Sequence, residues 1–84
     1  MSLPASPVTL QPEQIAELHS QLRKARHNVN NSLMLMSAAA EMFYQRPEIA
    51  EDMIAKIGEE AKKATETIRL FSKSLEATLA ITPD

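Results

Sequence analysis

Between Pro12 and Pro47 the chain contains neither proline nor glycine, and that uninterrupted run limits the fold more than any other feature. Proline ends helices through its missing N–H and its ring, and glycine through a backbone free to turn left-handed. A run without either, in which apolar residues return every three or four positions, reads as one amphipathic helix. Its length is roughly 33 residues, about 50 Å at about 1.5 Å per residue.

The flanking residues sharpen the boundaries. Pro12 suits the first helical position, where an absent N–H is no loss. Leu10 and Ile15 flank that start at the spacing of a hydrophobic staple, and Glu13 complements the helix N-terminus. Pro47 disfavours helical geometry at Arg46 and suits the first turn of a second helix, whose N-terminus Glu48, Glu51 and Asp52 favour electrostatically. The expected layout is a disordered lead-in over 1–9 held extended by Pro4 and Pro7, then a helical unit over 10–81. That unit holds one helix over about 12–45 and a second over about 47–80, and a tail over 82–84 carries Pro83.

Two long helices with so short a connection fold back on each other. Ile15, Leu18, Leu22, Ala25, Val29, Leu33, Met36, Ala40 and Phe43 form the expected seam of the first helix. Ala50, Met53, Ile57, Ala61, Ala64, Ile68, Phe71 and Leu75 form that of the second. Leu35, Ala39, Met42, Ile54, Leu70 and Leu79 widen the stripes beyond what two helices can cover. The expected architecture is therefore all-α: an antiparallel two-helix hairpin dimerising into a four-helix bundle.

Composition removes several classes of function. A chain of 84 residues is one small domain, and with no Cys it has neither disulfides nor thiolate metal sites. The absence of Cys gives no sign of an oxidising compartment, and the start lacks signal-peptide features, so a cytoplasmic location is expected. A net charge of −2 argues against nucleic acid, and no apolar run is long enough for a membrane span.

One polar stretch interrupts this ordinary picture: His27-Asn28-Val29-Asn30-Asn31-Ser32-Leu33. His27 is two residues from Ala25 and from Val29, so it projects roughly 200° from the seam, into water. Arg23 and Lys24 lie one turn before it and Asn31 one turn after, while Met34 and Ala38 continue the same face. An exposed neutral imidazole is a nucleophile near physiological pH, and neighbouring cations, Arg26 among them, stabilise an arriving phosphoryl group. Met34 and Ala38 supply an apolar strip on which a partner could dock.

His19 is too far along the axis to share a metal ion with His27 and reads as surface. Met34, Met36, Met42 and Met53 read first as core filler, and only Met34 shares the His27 face. Glu59, Glu60, Lys62 and Lys63 read as a solvated charged face, with Glu59 and Lys63 at helix-pair spacing. Gly58 falls roughly opposite Met34, and Thr65 opposite His27. There the glycine would admit close packing or a bend below the histidine, or be a tolerated accident.

The block from His27 to Leu33 resembles the phosphoacceptor box of sensor histidine kinases. Ala61-Lys62-Lys63-Ala64 and Ile68-Arg69-Leu70-Phe71-Ser72-Lys73 resemble the alanine-rich stretch and the ending of that family's second helix. The likeness spans about Gln14 to Leu79 and implies a dimerisation and histidine-phosphotransfer domain. It implies His27 as phosphoacceptor and Asn31 as the residue that positions water when a partner's phosphoaspartate is hydrolysed. Family members usually carry an acidic residue directly after the histidine, as a base in autophosphorylation. This chain has Asn28 there, which cannot take that proton, and it carries no nucleotide-binding motif or ATP-binding domain.

The expected function is thus histidine phosphotransfer in a two-component relay, with His27 accepting a phosphoryl group from a response-regulator receiver aspartate. The chain would need no cofactor of its own, Mg²⁺ residing in the receiver. The alternative is a non-enzymatic dimeric regulator or scaffold derived from a kinase dimerisation domain, promoting receiver dephosphorylation through Asn31.

Overall fold

A computed structural model describes residues 1–82 of the chain; Pro83 and Asp84, including the expected end of the tail, lie outside the described residues. Helix α1 spans Pro12–Gln45 and helix α2 spans Ala50–Thr78, joined through a single 3₁₀ turn at Pro47–Ile49. The fold is all-α, and the start and end of α1 fall where the prolines put them.

Gln11 is extended, the conformation favoured before proline, and Pro12 opens α1. The Gln11 N–H donates to Gln14 Oε1 at 2.8 Å, and the Gln14 and Ile15 N–H groups donate to the Gln11 carbonyl. At the far end the Arg46 N–H closes on the Met42 carbonyl at 2.8 Å, and Arg46 leaves helical geometry ahead of Pro47. Residues 47–49, expected as the first turn of the second helix, form the 3₁₀ turn instead. The Ile49 N–H bonds Arg46 at 3.1 Å, and an Arg46–Glu48 ion pair at 3.0 Å braces the corner.

Helix α2 ends at Thr78 rather than near residue 80, in a Schellman arrangement. The Ile81 N–H reaches the Glu76 carbonyl at 2.8 Å and the Ala80 N–H reaches Ala77 at 3.4 Å, with Ala80 in the left-handed region at φ 55. Beyond it Thr82 exchanges two backbone hydrogen bonds with Ser2, at 2.8 and 2.9 Å, which brings the lead-in to the end of α2.

The Ser74 hydroxyl of α2 donates to Gln21 Oε1 of α1 at 2.6 Å, and Ser32 hydrogen-bonds Glu60 nearer the turn. Contacts advance along one helix as they retreat along the other, so the two run antiparallel. The pair measures 58 × 26 × 12 Å, a single layer of helices.

The inner face differs from the expected seam by one residue. Ala39 is the one buried apolar residue among those described, and Ser32 is buried beside it, whereas Leu33 and Ala40 stay exposed. The reason lies in the spacing of Leu18, Ala25, Ser32 and Ala39, seven apart, which keeps one narrow line against α2.

The large apolar side chains are turned aside. Ile15, Leu22 and Leu33 lie roughly a quarter-turn round α1 from Ser32, and Ile54 and Ile68 roughly a quarter-turn round α2 from Glu60, in the same rotational sense. Because the helices are antiparallel, equal rotations bring both stripes to one broad face. There Leu33 remains 52% and Ile68 54% exposed. Domains bury apolar faces between at least two layers, and this pair has only one.

Candidate functional site

His27 is exposed, as its distance from the seam requires. It stands roughly 140° round α1 from Ser32, in the sense opposite to the apolar stripe, so it clears both α2 and that stripe. Ser20, Arg23, Lys24 and Asn28 surround it and line with it an open depression of about 520 Å³. All of this comes from one helix: positions 20, 23, 24, 27 and 28 fall together because three- and four-residue steps return to the same side.

Asn31 is exposed too, but it opens onto a different surface. With Asn28, Ser32, Leu35, Lys63 and Thr67 it borders an interhelical groove of about 530 Å³. Asn28 joins the two, lining both the depression at His27 and the groove. A further groove of about 320 Å³ continues the same face along Lys24, Ala25, Leu70 and Phe71. The residue facing Asn28 is Thr67; Thr65, expected opposite His27, is exposed and donates its hydroxyl to its own helix at Ala61.

Met34 is 71% exposed, not core filler, and Ala38 beside it is exposed as well. Met42 is also exposed, while Met36 and Met53 are half-buried in the helix interface. His19 is exposed. Gly58 has no atom within 4 Å of where a Cβ would stand, so it admits no close packing.

The chief correction concerns the charged run of α2. Glu59, Lys62 and Lys63 are exposed, and Lys63 Nζ lies 3.7 Å from Glu59 as the spacing suggests. Glu60 is instead the most buried side chain described, 2% exposed, at the floor of the groove beneath Asn31. Lys56 and Lys63 each reach its carboxylate at 3.2 Å, and Ser32 hydrogen-bonds it from α1. Burial opposes its charge, but hydrogen bonds from Lys56, Lys63 and Ser32, with the Lys63 charge, outweigh burial and hold the carboxyl below its ordinary range. The hydrogen bond to Glu60 likewise raises the Lys63 ammonium above its ordinary value.

The signal for this layer is present in the sequence as spacing rather than chemistry. Met53, Glu60, Thr67 and Ser74 recur every seven residues, the same line that Ser32 occupies on α1. Polar identity hides positions whose periodicity is that of a core.

Among the described residues no helix is long and apolar enough to cross a membrane. No family model, curated protein or solved structure matches the chain.

Proposed function

We propose that this protein is a histidine phosphotransfer module of a two-component relay, in which His27 accepts a phosphoryl group from the aspartate of a receiver domain. The observation that carries this reading is the placement of His27. It is exposed amid Arg23, Lys24 and Asn28, on an edge turned from both α2 and the apolar broad face. A nucleophile that must meet phosphorus in line on another protein needs such an edge.

In the proposed step a neutral ring nitrogen of His27 attacks the acyl phosphate. The N–P bond forms as the P–O bond to the receiver aspartate breaks, and the aspartate leaves as a carboxylate. Arg23 and Lys24 lie where they offset the charge of the transferred group. Exposed Met34 and Ala38 extend the contact beyond the reacting atoms. Mg²⁺ belongs to the receiver in this scheme, and the cell compartment in which a relay operates is the cytoplasm.

Two copies would pack through the face of Ile15, Leu22, Leu33, Ile54 and Ile68 into a four-helix bundle. A single layer with so small an interior supports that assembly. His27 stays on the outer edge of each copy in such a dimer.

A second reading draws on the groove. Asn28 and Asn31 border it together with Lys63 and Thr67, an arrangement suited to positioning water against a docked phosphoaspartate. On that reading the protein is a dimeric regulator that speeds receiver dephosphorylation without becoming phosphorylated. The two separate on one product: incubation with phosphorylated receivers yields an acid-labile phosphoprotein for the first reading. For the second it yields only inorganic phosphate, and that release is lost in Asn31→Ala.

A further inference from the structure

We propose that the ridge formed by Arg23, Lys24 and Arg26 around His27 is a docking surface for an acidic protein partner, one that presents clustered carboxylates. The inference rests on the phosphotransfer reading for the reaction that follows docking, while the surface itself is argued from charge and geometry.

The sequence from Leu18 to Ala40 holds no Asp or Glu, yet it carries Arg23, Lys24 and Arg26 as well as His19 and His27. Of the six other Lys and Arg residues, four are in ion pairs, and Lys62 and Lys73 are in none among the described residues. Arg46 pairs with Glu48, Lys56 with Glu60, Lys63 with Glu59 and Glu60, and Arg69 with Glu66. Among the described residues no ion pair involves Arg23, Lys24 or Arg26. Three uncompensated cations within about one helical turn project a local positive field from a chain whose net charge is −2.

The shape of the site agrees. Arg23 and Lys24 share one open depression with His27, Ser20 and Asn28, whose hydroxyl and amide add donors for carboxylate oxygens. Arg23 and Lys24 lie with His27 away from the apolar stripe and remain accessible in the proposed dimer, while Arg26, one turn from Leu22, extends the ridge to the border of that stripe.

Nucleic acid fits less well. A nucleic-acid strand spreads its charge and would run on toward Glu48, Glu51 and Asp52 at the turn end. It also gains from stacking on aromatic side chains, but Phe43 and Tyr44 lie off the ridge, and Phe71, which lines a groove with Lys24, is half-buried on α2. An anionic membrane would engage the exposed strip of Met34 and Ala38 together with the cations, and the vesicle titration separates it from a protein partner. A compact carboxylate-rich protein surface matches both the extent and the sign of the ridge, and attraction of this kind accelerates encounter.

The test titrates the ¹⁵N-labelled protein with a short poly-L-glutamate peptide, with short oligothymidylate, and with phosphatidylserine vesicles, at low and at physiological salt. Expected are amide shifts confined to residues 19–31 with poly-L-glutamate, weakened by salt and lost in Arg23→Glu/Arg26→Glu. Arg23→Gln/Arg26→Gln serves if the reversal perturbs the helix by circular dichroism. No shifts on the ridge, or tighter binding of oligothymidylate or vesicles, overturns the proposal.

The same variants are then compared in transfer from phosphorylated receiver domains, where a several-fold slowing at low salt that shrinks at high salt is expected. Transfer at the wild-type rate by the charge-reversed protein sinks the docking ridge and the charge-offsetting role of Arg23, and leaves His27 standing as phosphoacceptor. Ridge-specific peptide binding with no transfer from any receiver sinks phosphotransfer and leaves the ridge standing.

Discussion

The hydroxyl of Ser32 on α1 and the carboxylate of Glu60 on α2 hydrogen-bond across the helix interface, and they are the two buried polar side chains among the described residues. Glu60 gathers Lys56 and Lys63 from its own helix, so one carboxylate ties the register of α1 to about two turns of α2. A slip along the pair would leave that carboxylate buried without its partners, which is costly. The groove bordered by Asn28 and Asn31 sits directly above this contact.

Glu60→Ala should therefore lower the melting temperature markedly, and Glu60→Gln less, because the amide still accepts from Ser32. Thermal unfolding by circular dichroism reads both. A melting temperature unchanged in Glu60→Ala would mean that the layer does not hold the register.

The lowered carboxyl of Glu60 carries a pH signature. A group whose folded value lies below its unfolded one contributes stability above the unfolded value, here near 4.5, and loses it as pH falls through the lowered folded value. Glu66, held down chiefly by its hydrogen bond from Arg69, acts in the same direction. Urea midpoints measured downward from pH 6 should fall through that acid range, and Glu60→Gln should flatten the decline.

Gly58 stands mid-helix, without a left-handed backbone and without neighbours where a Cβ would go. Gly58→Ala should raise stability by about 1 kcal/mol, the helix-propensity difference. A destabilised alanine variant would show that the glycine serves a bend or an approach by another chain.

Ala80 is the reverse case, a side chain in the left-handed position that caps α2. Ala80→Gly removes the Cβ clash and should stabilise by about 1 kcal/mol in urea unfolding. Together the two substitutions exchange a glycine in the wrong place for one in the right place.

The exposed apolar face sets the assembly prediction. Leu33→Asp or Ile68→Asp places a charge on that face without touching His27 or the Ser32–Glu60 contact. Sedimentation should show dimer for the wild type and monomer or unfolded chain for either variant. The wild-type melting temperature should rise with protein concentration.

What the sequence made legible was decided by strong local rules. Pro12 and Pro47 bracket α1 because proline acts on the backbone whatever surrounds it. The 3₁₀ turn at 47–49 was hidden because proline is equally at home in the first turn of an α-helix. The inner seam came out one residue off at Leu33 and Ala40 because hydrophobicity ranks the outward stripe above the inward line of Ser32 and Ala39. Glu60 was misplaced for the same reason: a glutamate amid lysines looks solvated until its place against Ser32 of the other helix is known. The exposure of His27, by contrast, follows from its angle to Ala25 and Val29 alone.

The most direct measurement follows labelled phosphate from a panel of phosphorylated receiver domains onto wild type, His27→Ala and Asn31→Ala side by side. Phosphotransfer predicts label on wild type and on Asn31→Ala, and none on His27→Ala, with all three equally folded. Label on His27→Ala, or no label on wild type from any receiver, would contradict it.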